Sequence, residues 1–407
     1  MPENTESTAW SETARKLWRS RVAPELLETA APGEIDLATG SPPFPVSPVV
    51  KNAITAKVGE LEHLSYPPTN GAENLRKAIA DFDQQHLGAK YGKDGVVITY
   101  GAMQALSNVI GTFAGPGDEV LLPAPFWFQF PEIVKKLRAE PKIIETYSGN
   151  WFKLTPRLLA EAITPRSRVL VLTNPNNPTG TIYTRDELAA LVEVLKLYPG
   201  LAIASDEVYN LLIPGSSGLE PVTSLCSFKE IQDRVFVVNS MSKNFAMSGL
   251  RVGWIGGTNK AAIEEMTQRQ RFISLGVNLY LQAGALAGIK DTQGIVGGIN
   301  QALVGRRDKA VELLKSLPRM EFATPEAAYY FWVDLRRYIG CRTPEGNTIR
   351  RDAELVEYLG GPGGVAIVAG DRCGIPHYFR VTYAVLEDDF AEGIKRLKAR
   401  LAALICG

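Results

Sequence analysis

The chain has 407 residues, 45% of them hydrophobic and 22% charged, with 44 Lys plus Arg against 44 Asp plus Glu. A formal net charge of zero, with no basic run interleaved with aromatics, argues against nucleic acid or an anionic membrane as partner. No stretch approaches the roughly 18 apolar residues of a membrane span, and the length suits a large core and two domains.

In chain order, the amino-terminal MPENTESTAWSETARKLW has early acidic residues and no apolar core, so it reads as neither a secretory signal nor a transit peptide, and a cytoplasmic location is expected. One amphipathic helix and an extended arm are expected over residues 1–48. From there, strand-like and helix-like runs alternate. GVVITYG at Gly95 precedes AMQALSNVIGTF, DEVLLPAP at Asp118 precedes FWFQFPEIVKKL, and RVLVLTNP at Arg168 precedes a helix opening on TRDE. That helix has a capping box, Thr184 with Glu187, and its Leu188, Leu191, Val192 and Leu195 recur at helical spacing. LAIASDEVY at Leu201 and RVFVVNS at Arg234 supply further buried strands. The alternation predicts an α/β fold, a mostly parallel sheet with helices on both faces, over residues 49–300.

The last hundred residues mix VGRRDKAVELLKSL, AAYYFWVDL, AELVEYLG and FRVTYAV, and close on a helix with Phe390, Ile394, Leu397 and Leu401 on one face. This order predicts a smaller α+β domain over residues 301–407, with the amino-terminal arm packed on it. GGPGG at Gly360 reads as a turn. Cys226, Cys341, Cys373 and Cys406 form no C-x-x-C pair and are expected to be reduced thiols. His63, His86 and His377 are not spaced as metal ligands, so no metal is expected.

Several strand ends carry polar residues. NPNNPTG puts Asn177 on a loop after one strand; alone it reads as a turn. SDEVY puts Asp206 at the end of the next strand and Tyr209 three residues on, and an Asp there is more often a cap. GAMQAL places the backbone of Ala102 and Met103 at a helix start, where free N–H groups hold a phosphate or simply water. VFVVNSMSKNFAMSGLRVG puts Lys243 just past a buried strand, and ligands of open α/β sheets bind at that rim. A lysine is costly to bury unless paired or deprotonated. Together the residues suit a pyridoxal phosphate: an amine for its aldehyde, a carboxylate for its pyridine nitrogen, and donors for its phosphate.

The stretch Ser240, Met241, Ser242, Lys243, then Gly249, Leu250, Arg251, Val252 and Gly253 resembles the lysine signature of the class I pyridoxal-phosphate aminotransferases, the fold type I family that includes aspartate aminotransferase. NPNNPTG, SDEVY and FRVTYA resemble the family's other blocks, in the family's order, and the likeness runs from Leu37 to the carboxyl end. It implies a Schiff-base role and proton transfer for Lys243, pairing of Asp206 with the ring nitrogen, and contact of Asn177 and Tyr209 with the ring oxygen. Arg251, Ser240, Ser242 and the backbone at Ala102 and Met103 would bind phosphate, and Trp127 would stack on the ring, though in PAPFWFQF it also suits core packing. Arg380 would grip the substrate α-carboxylate, with Gly40 near it. Tyr66 would reach the neighbouring subunit's phosphate, which implies a homodimer. L-amino acids and 2-oxo acids are the implied substrates.

The resemblance leaves a lyase or cyclase with the same cofactor as the alternative. AGDRCGIPHYFR, Ala369 to Arg380, lacks the family's usual proline-glycine pair, and PEAAYYFW at Pro325 lacks its usual glycine. Both departures lie on the expected substrate side, and the preferred amino acid stays open. Arg269 and Arg271 do not align as a second carboxylate arginine. A DNA-binding regulator lacks room before Gly40. A dinucleotide enzyme lacks G-x-G-x-x-G, and GAKYGKDG fails the P-loop spacing.

Overall fold

A computed structural model describes residues 30, 33–60, 65–215 and 222–406. The helix expected near the amino terminus, and His63, lie outside the described residues. The described chain begins with a short strand, β1 (Ile35–Asp36). A seven-stranded sheet follows: β2 (Val96–Thr99), β3 (Glu119–Pro123), β4 (Glu140–Ile144), β5 (Ser167–Thr173), β6 (Ala202–Asp206), β7 (Val235–Ser240) and β8 (Gly253–Gly256), in the spatial order β2-β8-β7-β6-β5-β3-β4. All pairings are parallel except those of β8, which runs antiparallel to β7 and to β2. The carboxyl ends of β2, β5, β6 and β7 therefore share one rim with the amino end of β8.

Alternate residues of these strands enter opposite cores. Leu170, Ile203, Val235 and Val237 pack to one side, while Val169, Val171, Ala204, Phe236 and Val238 pack to the other. Both faces are thus dry, as expected of strands that read as unbroken apolar runs. Each of these valine, leucine, isoleucine and phenylalanine side chains contributes about 1.5–3 kcal/mol by leaving water. Helices such as Gly101–Phe113 and Lys260–Ser274 cover one face, and Arg185–Leu195 covers the other, its Thr184–Glu187 capping box formed.

The second sheet is antiparallel, in the order β12-β13-β10-β9, from β9 (Glu321–Phe322), β10 (Tyr330–Asp334), β12 (Val368–Ala369) and β13 (Tyr378–Thr382). Its core takes Phe331, Val333, Phe379 and Val381 from the strands and Phe390, Ile394, Leu397 and Leu401 from the last helix, Glu387–Ala402. The arm joins this unit: β1 pairs in parallel with β11 (Val365–Ala366), Leu37 is fully buried in the core, and the Thr382 N–H donates to the Leu37 carbonyl. Helix Thr292–Lys315 begins twelve residues ahead of Val304, where VGRRDKAVELLKSL begins to look helical, because its first turns are rich in glycine.

Three expectations need correction. Cys341 and Cys406 are not reduced thiols but a disulfide, closed because Arg342 bridges to Ile405 and brings their Cα atoms to 4.4 Å; Cys226 and Cys373 lie outside the disulfide, both buried. FWFQFPEIVKKL is helical only over Phe130–Lys136, since Phe126 to Gln129 form a turn that aims Trp127 at the rim. The sheet also holds two strands that periodicity missed, β4 and β8: one is half exposed, the other only four residues with glycine at both ends. Among the described residues, no helix is long and apolar enough to cross a membrane and no cluster could hold a metal.

Candidate active site

The rim of the large sheet opens on a cleft of about 170 Å³. Asp206, Ser240, Ser242, Lys243 and Arg251 line it from the ends of β6 and β7 and the connection to β8. Ala102 and Met103 reach it from the helix start after β2, Trp127 from the turn after β3, and Asn177 and Tyr209 from the loops after β5 and β6. Ten residues scattered over 150 positions of sequence meet because every one follows a strand that ends on this rim.

Asp206 is buried. Its Oδ2 accepts from the Thr173 hydroxyl at 3.2 Å, while its Oδ1 has no hydrogen-bond partner among the described residues. Loss of water pushes its pKa up to about 7, against the opposing pull of Thr173, the Val208 N–H and the Lys243 charge. A buried carboxylate with one unmatched oxygen is a receptor for a cationic N–H. The Lys243 Nζ donates to the Gly40 carbonyl at 2.6 Å. Asn177 donates from Nδ2 to the Tyr209 hydroxyl at 3.2 Å and accepts at Oδ1 from Arg380 at 3.1 Å. Burial, then the neighbouring Tyr330 and Tyr329, raise the Tyr209 pKa well above its ordinary value, so its hydroxyl stays protonated.

At the other end of the cleft, helix Gly101–Phe113 presents its first backbone N–H groups, which have no partner within the helix. Gly101 has φ +78°, and a Cβ there would lie 2.7 Å from an Arg251 nitrogen, so the guanidinium packs flat on this glycine. Arg251 itself donates to the Ser248 carbonyl at 2.8 Å. Ser240 Oγ accepts from the Ser242 N–H. N–H groups, hydroxyls and an arginine converging on one helix start suit a phosphate dianion.

The second sheet and the arm do not line this cleft but form a wall behind it, where Arg380, Tyr330 and Gly40 touch its lining residues Asn177, Tyr209 and Lys243. Arg380, on β13, is buried, donates to the Ala38 carbonyl at 2.6 Å, and lies over the Tyr330 ring at 4.4 Å. Gly40 is forced by space: a Cβ would sit 2.1 Å from the Tyr330 hydroxyl and 3.2 Å from the Lys243 Nζ. Tyr66 is 83% exposed and lies outside the cleft of its own chain. Arg269 is turned against Gly111 of the neighbouring helix, and neither it nor Arg271 lines the cleft.

Four contributors escaped the sequence reading. Ser248 lines the cleft and its hydroxyl meets that of Ser41 at 2.7 Å. Tyr330 bonds the Tyr209 hydroxyl at 3.2 Å, Tyr329 donates to the Gly40 carbonyl at 2.9 Å, and Thr173 holds Asp206. Ser248 lay inside the lysine stretch already quoted, and the two tyrosines inside PEAAYYFW, where apolar neighbours disguised them as core.

The cleft's donor set fits pyridoxal phosphate: the orphan Asp206 oxygen, the Lys243 amine and the helix start lie along one cavity. Residues 32–397 match the family model described as aminotransferase class I and II. The chain is 32% identical to a bifunctional aspartate aminotransferase and glutamate/aspartate-prephenate aminotransferase of Petunia hybrida, over 91% of this chain and 77% of that one. It is 31% identical to a probable aspartate/prephenate aminotransferase of Rhizobium leguminosarum bv. phaseoli, over 89% and 90%. Among solved structures it is similar to an aspartate aminotransferase from Rhizobium meliloti, with a TM-score of 0.86, 29% identity and 99% of both chains covered.

Proposed function

From the premise that this chain belongs to the class I and II aminotransferase family and is a pyridoxal-phosphate-dependent enzyme acting on amino acids and 2-oxo acids, we propose the role of each residue and the identity of the donor. When bound, pyridoxal phosphate supplies an aldehyde carbon that takes up amino groups and a cationic ring that draws off the electrons released when a Cα proton leaves.

Lys243 would hold the aldehyde through its amine, and that amine would be the base that moves the proton at Cα. Asp206 meets the ring nitrogen through its unpartnered Oδ1. A cation there pulls the carboxyl back from about 7 into its charged form, so anion and cation stabilise each other where charge develops. Asn177 and Tyr209 would hold the ring oxygen, Trp127 would stack on the ring, and the helix start with Arg251, Ser240, Ser242 and Ser248 would hold the phosphate. Arg380 would take the substrate α-carboxylate with its planar fork and so orient the Cα. The observation that carries this reading is the pairing across one cleft of an orphan buried carboxylate with a lysine amine.

The donor we propose is an acidic L-amino acid, aspartate first, supported by what the relatives are named for. Elimination and cyclisation are not favoured by any of those relatives. The large unit spans residues 49–300 and the small one 301–407 with the arm, 1–48. The working form is a cytoplasmic homodimer in which the exposed Tyr66 serves the neighbour's phosphate. Incubation of the holoenzyme with L-aspartate and 2-oxoglutarate should yield glutamate. Ammonia or a cyclic product, with no exchanged amino group from any donor, would reject the assignment.

A further inference from the structure

Tyr330 stands behind the cleft without lining it, and none of the roles above falls to it. Its place follows from the second sheet. In the ladder of β10 and β13 it is opposite Thr382, which makes it the diagonal neighbour of Arg380 on one face. The Arg380 guanidinium accordingly lies over its ring at 4.4 Å, and at the far end of that ring the hydroxyl meets the hydroxyl of Tyr209 at 3.2 Å.

Two further bonds close a circuit. Arg380 donates to Asn177 Oδ1 at 3.1 Å, and Asn177 Nδ2 donates to the Tyr209 hydroxyl at 3.2 Å. Arg380, Asn177, Tyr209 and Tyr330 thus form a closed loop of four buried side chains, each touching the next. On the roles proposed above, one side of this loop serves the substrate carboxylate and the other the ring oxygen of the cofactor.

Core packing accounts for only part of Tyr330. Its ring contacts with Tyr329 at 4.7 Å and Tyr209 at 6.0 Å are ones a phenylalanine could make. A buried hydroxyl is unfavourable unless bonded, and the arm makes room for this one with a glycine: a Cβ at Gly40 would lie 2.1 Å from it. The direction of its bond follows from counting protons, since a tyrosine hydroxyl donates only once. Tyr209 accepts from Asn177, and in holding the ring oxygen it gives its own proton to the cofactor. In the loaded enzyme the contact between the two hydroxyls is therefore made by the Tyr330 proton. A donor behind a donor polarises it and strengthens its outward bond.

We infer that Tyr330 is a positioning residue with two separable parts: its ring face holds the Arg380 fork ready for the substrate α-carboxylate, and its hydroxyl reinforces the bond from Tyr209 to the cofactor's ring oxygen. The inference rests on the roles proposed for Arg380 and Tyr209 and is independent of which amino acid is the donor.

Two variants separate the parts: Tyr330→Phe removes the hydroxyl and keeps the ring, and Tyr330→Leu removes both. Each is loaded with pyridoxal phosphate, and the visible absorbance of the holoenzyme is titrated against pH without substrate. A hydrogen bond to the ring oxygen favours the more negative, deprotonated form of the bound cofactor. Loss of its support should move the midpoint upward by about half a pH unit or more in both variants. The other ionisable groups facing this point, Tyr209, Tyr329, Lys243, Asp206 and Arg380, are the same in both. KM for L-aspartate should stay within about twofold of wild type in Tyr330→Phe and rise roughly fivefold or more in Tyr330→Leu, where the cation has lost its ring face. If the wild type turns over another donor instead, only the donor assignment falls, and the KM comparison is made with that donor. Packing alone predicts an unmoved midpoint in Tyr330→Phe. That result, or a KM that rises equally in both variants or in neither, would overturn the inference.

Discussion

The two walls of the cleft are built by different means. On the large-sheet wall each functional group follows its own strand: Asn177 after β5, Asp206 ending β6, Lys243 after β7. The strands are locked in register by parallel ladders with both faces dry, so the groups inherit a rigid frame. On the opposite wall Arg380 is held by contacts from elsewhere, namely the Ala38 carbonyl of the arm, the Asn177 side chain and the Tyr330 ring. The comparison teaches that Asn177, Asp206 and Lys243 take their geometry from the sheet, whereas Arg380 takes its geometry from how the arm and small sheet close on it.

The sharpest way to break this division is Lys243→Ala. Turnover should fall by at least about 10²–10⁴-fold, the range of a general base alone. Borohydride treatment of the wild-type holoenzyme should fix the cofactor on the Lys243 peptide, detected by mass, and leave the variant unlabelled. Labelling elsewhere in the wild type would show that the rim is not the cofactor wall.

A change confined to the second wall tests the other half. Arg380→Ala should weaken substrate affinity by about 1.5–3 kcal/mol, the worth of a charged hydrogen bond, which corresponds to roughly a ten- to hundredfold rise in KM. Cofactor binding, followed by its absorbance, should hold. Comparable loss of both would mean that the walls are one unit.

The smallest effect is a pH slope. In the protein stripped of cofactor, Asp206 keeps its proton up to about 7, while in the unfolded chain it lets go near the ordinary 3.8. Between those values the folded state holds a proton that the unfolded state has lost, so stability falls as pH rises. Asp83 and Glu207, raised by burial to about 7 and about 8, push in the same direction. Asp206→Asn should therefore flatten, without abolishing, the decline in apoprotein Tm between pH 4 and 7. An identical slope in the variant would show that Asp206 is ionised in the empty cleft.

The first wall was far more legible from sequence than the second. Lys243, Asp206 and Asn177 each follow an apolar run that can only be a buried strand, so their place on the rim follows from topology. Tyr329 and Tyr330 sit within an equally apolar run, and nothing local distinguishes a tyrosine whose hydroxyl bonds Gly40 or Tyr209 beside the cleft from one that fills the core. The Cys341–Cys406 pair was invisible because 65 residues separate its members and only the Arg342–Ile405 bridge brings them together. Glu207 is instructive beside Asp206. It is just as buried, but faces away from the cleft, and the Ser205 and Ser224 hydroxyls occupy its Oε1.

The carbonyl of Gly40 accepts from Lys243 and from Tyr329 at once, and so knots the two walls together through a single oxygen. Anything that claims the amine undoes one strand of that knot. The arm then loses its tie to that amine, and loading the lysine and loosening the roof over it become the same event.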